Sequence, residues 1–316
     1  MLNAIREIFQ VRCDAFHLSF NCHTTFVHGI ARLPSHYLPN FGFMSTVVRI
    51  DAPLPAACPG SEVLGIRISR ATSRDLVSAS LEAIADRKQF VFACANPHSL
   101  AAARHDSGFL AALRSANAVV VDGVGLAIIG RLLGRSFGPR VTGSDYFEAV
   151  MGSLNRCGGG TVFFFGSTDT VLARIRSRVA QDYPCVQIVG TCSPPYGRWS
   201  DDLDRHFVEQ VRAASPDVLW VGMTAPKQEK WVARNAAKLG VPVIASIGAV
   251  FDYYAQTIVR APKWICEMGF EWLFRLVKEP RRLWRRSIVS GPLFLSIMVR
   301  ETLLGSSSDT ASDTQL

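Results

Sequence analysis

Residues 216–231 read PDVLWVGMTAPKQEKW, and this stretch decides the fold. Its first half, 217–222, is a short run of β-branched and aromatic residues that ends at a glycine, as in a strand buried on both faces. A proline and a polar first turn then open a helix-length amphipathic segment, 227–238. A buried strand that leads at once into an amphipathic helix is the repeating unit of a parallel α/β sheet.

The same alternation of strand-like and helix-like segments runs along the chain from about residue 60. We therefore predict an α/β fold, a Rossmann-like parallel sheet with helices on both faces, over residues 60–255. The predicted strands are 90–95, 118–122, 161–166, 186–191, 217–222 and 241–247. The predicted helical segments are 73–87, 99–115, 145–155, 169–180 and 227–238.

Ligands of such sheets bind beyond the carboxyl ends of the strands, so polar residues directly after a strand are candidate site residues. Asp122 ends the strand VVVD and begins DGVG, where a carboxylate beside glycines can act as a general base. A turn is the other interpretation, and the commoner one for an Asp-Gly pair. The segment GVGLAIIG is not a dinucleotide fingerprint, because its third glycine comes too late for G-x-G-x-x-G. A nicotinamide-dependent oxidoreductase is therefore the less favoured use of this sheet.

Loops and strand ends elsewhere in the chain carry candidate anion contacts. Arg140, in the loop GPRVTGSD, is either solvated or placed to grip a phosphate with two hydrogen bonds. Gly222 and Gln228 flank a helix start whose backbone N–H groups would face an anionic ligand. Gln228 is unusual in a buried first turn unless its amide is used, and the sequence favours capping and ligand contact equally.

Asp202 and Asp204 have the D-x-D spacing found in some metal sites. They follow Ser200 in what we interpret as the first turn of a helix, where acidic residues commonly complement the helix dipole. We therefore expect no bound metal and no other cofactor.

The basic charge of the chain is concentrated in residues 260–286, where eight Lys/Arg and three Glu are interleaved with tryptophans and leucines. This pattern suits a surface where acyl chains meet anionic head groups. We predict that residues 256–305 form an amphipathic helical membrane-binding appendage, which places a cytoplasmic protein peripherally on the inner face of the cytoplasmic membrane. Docking of a second copy, giving a homo-oligomer, is the alternative. Nucleic acid is disfavoured, because no recognisable nucleic-acid module accompanies the charge.

The ends of the chain differ from the α/β region. Residues 1–43 are rich in His, Phe and Cys without a sustained period, and we hypothesise a poorly structured extension with Met44 as the natural start. Residues 306–316 are of low complexity and are expected to be disordered. No apolar run reaches the ~20 residues of a membrane-spanning helix. The eight cysteines form no C-x-x-C pair, as expected of free thiols in a reducing cytoplasm.

Nine motifs in order along residues 63–286 carry a family resemblance. They are VLGIRI, ANPHSL, DGVG, RVTGSD, FFFGS, SPPYG, PDVLWVGMTAPKQEKW, IGAVFDYYAQTIVRAPKW and GFEWLFRLVKEPRRLWRR. One such motif would mean little, whereas the ordered set is highly specific. The chain resembles the WecG/TagA/CpsF family of bacterial glycosyltransferases, glycosyltransferase family 26.

The resemblance implies inverting, metal-independent transfer of a sugar from a UDP-sugar donor to an acceptor linked to undecaprenyl diphosphate. Family members act in bacterial exopolysaccharide, capsule, O-antigen or teichoic acid biosynthesis, and their donors carry N-acetylmannosamine, its uronic acid or glucose. Matched motif to motif, the general base falls on Asp122. The implied substrate contacts are Asn96, Arg140, Gly166, Ser167, Gly222, Gln228 and, in the tail, Arg275, Arg282 and Arg285.

One position departs from the family pattern. Relatives carry Thr in a T-x-N-P context, and this chain has Cys94 before Ala95-Asn96-Pro97. A thiol is a poor replacement for a hydroxyl hydrogen bond, so either Asn96 carries that contact or the sugar pocket differs. The remaining alternative, a catalytically silent membrane scaffold of a polysaccharide assembly complex, is disfavoured because Asp122, Arg140 and Gln228 are retained together.

Overall fold

A computed structural model of the chain describes residues 60–122, 130, 137–259, 261–262, 265, 271–278, 294 and 296. All of them belong to one compact unit, Asp51–Leu316. The predicted N-terminal extension, Met44, the disordered tail and most of the membrane-binding appendage lie outside the described residues. Within the described part, no helix is both long enough and apolar enough to cross a membrane.

A six-stranded sheet forms the centre of the described fold, and every strand pair in it is parallel. The order across the sheet is β4-β3-β8-β7-β5-β6. These strands are β3 Phe90–Ala95, β4 Ala118–Val121, β5 Gly160–Gly166, β6 Val186–Cys192, β7 Val218–Gly222 and β8 Val243–Ser246. The predicted parallel sheet is therefore confirmed, and each strand overlaps its predicted segment.

A hairpin of two short strands, β1 Gly60–Val63 and β2 Ile66–Ser69, precedes the sheet and was not predicted. Val63 and Ile66 are fully buried and belong to the same apolar cluster as Val119 of β4. The hairpin thus contributes to the core beside the β4 edge of the sheet.

Nine helices accompany the strands in the described residues. They are α1 Ser73–Asp86, α2 Pro97–Ala103, α3 Ser107–Ser115, α4 Gly143–Arg156, α5 Asp169–Asp182, α6 Asp201–Ala214, α7 Lys227–Leu239, α8 Val250–Tyr254 and α9 Glu271–Lys278. The prediction of one helix over 99–115 was wrong, because the segment folds as α2 and α3. Asp106 causes the break: its Oδ1 accepts a hydrogen bond from Phe109 N at 3.0 Å and caps the second helix.

Helices cover both faces of the sheet, as predicted. Phe164 packs in the apolar cluster that includes residues of α1, α4 and α5, whereas its neighbour Phe165 packs in the cluster formed with α6 and α7. Successive side chains of a strand point to opposite faces, so a continuous apolar strand fills two cores.

From β3 the chain moves outward to β4, crosses to β5 and the other edge strand β6, and returns through β7 to β8, which lies beside β3. The neighbouring strands β5 and β7 send their connections in opposite directions, to β6 and to β8, so a topological switch lies between them. Because all six strands are parallel, the loops that follow them lie at one edge of the sheet, where open α/β sheets bind ligands.

Candidate functional site

Asp122 directly follows β4 at the carboxyl edge of the sheet. Ala95 and Val121 are paired in the β3–β4 ladder, and Asp122 N continues it by donating to Ala95 O at 2.8 Å. The side chain of Asp122 is partly exposed. The predicted general base is thus held on a fixed backbone beside the loop that follows β3, with access to solvent.

Cys94 lies beside Asp122 where β3 ends. A Cβ atom added at Gly143 would lie 3.5 Å from Cys94 Sγ and 3.5 Å from Ile247 Cβ, so the start of α4 packs against the ends of β3 and β8. Burial, and then the carboxyl groups of Asp122, Glu229 and Asp145, hold the pKa of Cys94 well above its usual value. The thiol is therefore neutral and is surrounded by acidic groups.

Asn96 caps α2 with its side-chain oxygen. Oδ1 accepts hydrogen bonds from Ser99 N at 2.9 Å and Ser99 Oγ at 3.1 Å. Because Oδ1 is engaged in the cap, Asn96 can contact a ligand through its side-chain NH₂ group.

Gln228 links the loops that follow β7 and β8. Its Oε1 accepts from Met223 N at 3.2 Å and from Gly248 N at 3.1 Å, and its Nε2 donates to Glu229 Oε1 at 2.9 Å. The side chains of Gln228 and Glu229 are both buried. The amide oxygen is thus committed to the backbone, and the second Nε2 hydrogen is what Gln228 can offer to a substrate.

Gly166, Ser167 and Gly222 form a close backbone junction where β5 and β7 end. Gly166 has a φ of +127°, and a Cβ atom there would lie 2.6 Å from Gly222 O. Ser167 also has a positive φ, +61°, and its carbonyl oxygen accepts from Ser193 Oγ at 3.0 Å. Close packing requires glycine at both Gly166 and Gly222, which are buried, and Ser167 is the partly exposed residue of this junction.

Arg140 lies in the loop before α4 and contacts the C-terminal helix α9. Its NH2 nitrogen is 3.6 Å from Glu271 Oε2, and about a quarter of each side chain is exposed. The Nε atom of Arg140 is buried and makes no hydrogen bond within the described part of the chain. Arg275 belongs to α9, although its side chain is not described, and Arg282 and Arg285 lie outside the described residues.

The loop 193–199 was not assigned a role from sequence, although its motif SPPYG was noticed. Lys227 Nζ donates to Gly197 O at 2.5 Å and lies 3.7 Å from the centre of the Trp199 ring. Burial lowers the pKa of Lys227. These contacts hold the loop to the start of α7 and leave Tyr196 fully exposed beside the carboxyl edge.

Asp202 and Asp204 do not converge on a common point. Asp204 is buried, and it accepts hydrogen bonds from Trp199 Nε1 at 2.9 Å, Trp231 Nε1 at 2.8 Å and Asn235 Nδ2 at 3.2 Å. Asp202 is exposed and pairs with Arg205. The D-x-D spacing therefore reflects a structural carboxylate next to a surface one. Among the described residues, no group of three His, Cys, Asp or Glu is arranged to hold a metal.

Comparisons with known proteins show which proteins this chain is similar to. Residues 61–308 match the family model described as glycosyl transferase WecG/TagA/CpsF family. An N-acetylglucosaminyldiphosphoundecaprenol N-acetyl-beta-D-mannosaminyltransferase of Bacillus subtilis (strain 168) is 28% identical over 214 residues, which cover 67% of this chain and 80% of the relative. An equally named protein of Staphylococcus aureus (strain MW2) is 22% identical over 236 residues, covering 74% of this chain and 90% of the relative.

Proposed function

This chain belongs to the WecG/TagA/CpsF family of glycosyltransferases, and we propose that it transfers N-acetylmannosamine from UDP to N-acetylglucosaminyl-diphospho-undecaprenol. Family membership confirms the predicted enzyme class, a glycosyltransferase. The sequence alone left N-acetylmannosamine, its uronic acid and glucose open as donor sugars. The names of the relatives favour N-acetylmannosamine and the lipid-linked N-acetylglucosamine acceptor.

The observation that carries the proposal is the position of Asp122. It lies at the carboxyl edge beside Cys94 and Asn96 of the neighbouring strand end, and its backbone is fixed by the hydrogen bond to Ala95 O. A partly exposed carboxylate on a rigid backbone is suited to accept a proton from a bound hydroxyl group.

The proposed reaction is a single displacement. Asp122 takes the proton of the acceptor hydroxyl while that oxygen bonds to the anomeric carbon of the donor sugar. The bond from the anomeric carbon to the phosphate oxygen breaks, and UDP leaves with the electron pair. One displacement inverts the anomeric centre, so a donor with an α-linked sugar would give the β product that the names of the relatives specify.

Arginine side chains are the proposed source of positive charge for the departing UDP, in place of a metal ion. Arg140 has a buried Nε without a described acceptor, and a phosphate oxygen would satisfy it. Its contact with Glu271 brings α9 to the site, and Arg275 lies one turn further along that helix. We propose that Arg275, Arg282 and Arg285 complete the diphosphate site.

The uridine and the diphosphate of the donor are proposed to lie over Gly166, Ser167, Gly222 and Gln228. The lipid-linked acceptor is proposed to arrive from the inner face of the cytoplasmic membrane, which the basic segment 260–286 would contact. Support comes from the charge and tryptophan content of that segment and from the contact of α9 with Arg140.

The test is UDP release by the purified full chain with a panel of UDP-sugars, an undecaprenyl-diphosphate-N-acetylglucosamine analogue and EDTA. We expect release that depends on the acceptor, is highest with UDP-N-acetylmannosamine and persists in EDTA. Asp122→Asn should lower kcat by roughly 10²–10⁴, the usual contribution of a general base.

Asp202→Asn is the matched control, because it makes the same change at an exposed Asp that pairs only with Arg205 in the described structure. It should retain the wild-type rate. Equal rates in Asp122→Asn and wild type would refute the role of Asp122. If no UDP-sugar is turned over, the scaffold interpretation would replace the enzymatic one.

A further inference from the structure

Glu229 is a buried acidic residue that the proposed reaction does not use. It is the third residue of α7 and only 4% exposed. It lines a cavity of about 350 Å³ between α3 and α7, whose walls are mostly small side chains. Burial of a carboxyl group is costly unless the group is hydrogen-bonded and either neutral or paired with a charge.

The hydrogen bonds of Glu229 and Gln228 form one chain. Glu229 Oε1 accepts from Gln228 Nε2 at 2.9 Å, and Gln228 Oε1 accepts from Met223 N at 3.2 Å and Gly248 N at 3.1 Å. The Nε2 atom of a glutamine amide donates and its Oε1 atom accepts, so an acceptor beside Nε2 favours one of the two orientations of the amide group. Glu229, together with the two backbone N–H donors, therefore holds the amide oxygen towards the loops that follow β7 and β8.

The second carboxyl oxygen of Glu229, Oε2, lies in a different environment from Oε1. Oε2 is buried and makes no hydrogen bond within the described part of the chain. Burial raises the pKa of Glu229, although the hydrogen bond from Gln228 acts in the opposite direction. A neutral carboxyl group still accepts through its carbonyl oxygen, so the contact with Gln228 does not require a charge.

We propose that Glu229 is a positioning residue, which orients the Gln228 amide so that one Nε2 hydrogen is left for the donor substrate. The role in donor binding rests on the proposed function, whereas the orientation of Gln228 does not. A Cβ atom added at Gly248 would lie 3.5 Å from Gln228 Nε2, so this nitrogen lies next to the loop that follows β8.

Three variants test the proposal kinetically. Glu229→Leu removes the acceptor at similar volume, and we expect kcat/KM for the donor to fall roughly 10- to 100-fold, mainly through donor KM, because a buried N–H loses its partner. Glu229→Gln keeps an acceptor oxygen and should restore most of this loss. Asn235→Leu is the matched control, since it removes a buried hydrogen bond from the same helix, to Asp204. It should lower Tm without raising donor KM.

A second measurement does not need activity. In ¹⁵N-glutamine-labelled protein, the side-chain NH₂ signals of Gln228 are the pair that disappears in Gln228→Met. We expect this pair to shift in Glu229→Leu and to stay near its wild-type position in Glu229→Gln. Unchanged Gln228 signals in Glu229→Leu, equal impairment of both Glu229 variants, or an equal rise of donor KM in Asn235→Leu would overturn the proposal. An inactive wild type would refute the proposed function, and the NMR result would still decide the orientation.

Discussion

At the scale of single residues, the surroundings of Cys94 keep its thiol protonated. Burial is the main cause of its raised pKa, and the carboxyl groups of Asp122, Glu229 and Asp145 add to it. A thiol reacts as the thiolate, which forms only above the pKa, so a raised pKa keeps Cys94 protonated and unreactive through neutral pH. Cys192 is similar, because burial and then Asp169 raise its pKa to about 11.

Alkylation of the native protein tests whether the thiols of Cys94 and Cys192 are less reactive than the exposed thiols. At pH 8 we expect iodoacetamide to modify the exposed Cys157 and Cys185 at least about tenfold faster than Cys94 or Cys192, because the latter two are less exposed and each unit by which their pKa is raised lowers their thiolate fraction about tenfold. Peptide mass spectrometry over time gives the rate at each site. Rapid labelling of Cys94 would contradict the assignment of a neutral thiol.

The Cys94 position could be located from the sequence, but its electrostatic surroundings could not. The strand 90–95 and the acid at Asp122 were both predicted, since apolar runs and turn residues are local signals. Glu229 and Asp145 are distant in sequence, and only the folded sheet brings their charges near Cys94. The proposed role of Glu229 was missed because its burial, at 4% exposure, results from the packing of the fold and is not evident from the sequence.

At the scale of elements, Asp204 joins α6 to α7 and to the loop before α6. Its carboxylate accepts from Trp199, Trp231 and Asn235, so three buried or partly buried donors depend on one side chain. Hydrogen bonds to a charged group contribute more than neutral ones, and unpaired buried donors are costly. The link therefore supports the helix that carries Gln228.

We expect Asp204→Ala to lower the free energy of unfolding by about 3 kcal/mol or more, and the exposed Asp202→Ala to change it by about 0.5 kcal/mol or less. Urea denaturation of the two variants and the wild type measures both values. Equal and small effects would show that the three donors find other partners.

Local sequence signals predicted the strands of the large sheet but missed one hairpin and one helix boundary. The strands of the sheet were predicted because each is a continuous apolar run between turns. The hairpin β1–β2 was missed, because its strands, GSEV and IRIS, mix polar with apolar residues and so give no continuous apolar run. The break between α2 and α3 was missed because the apolar residues continue through it, and the cap formed by Asp106 becomes evident only from its hydrogen bond to Phe109.

At the scale of the whole molecule, most of the net positive charge lies in one basic segment that follows the sheet. Residues 260–286 have a net charge of +5, and the whole chain has a formal net charge of +8. The described helix α9 belongs to this segment and contacts Arg140 through Glu271. If Arg140 binds the diphosphate as proposed, binding of the segment to a membrane would also act on the donor site.

Sedimentation with lipid vesicles tests this arrangement. We expect the full chain to bind vesicles that contain anionic lipid, to bind neutral vesicles weakly, and to be released by high salt, because the attraction is electrostatic.

Each basic residue near an anionic surface contributes about 1 kcal/mol, so replacing both Arg282 and Arg285 by Ala should weaken binding roughly 30-fold. Arg174→Ala with Arg212→Ala is the matched control, since it removes the same charge from α5 and α6. If both double variants lost affinity equally, general charge would explain binding. If neither did and analytical ultracentrifugation showed a concentration-dependent oligomer, the segment would serve contacts between copies instead.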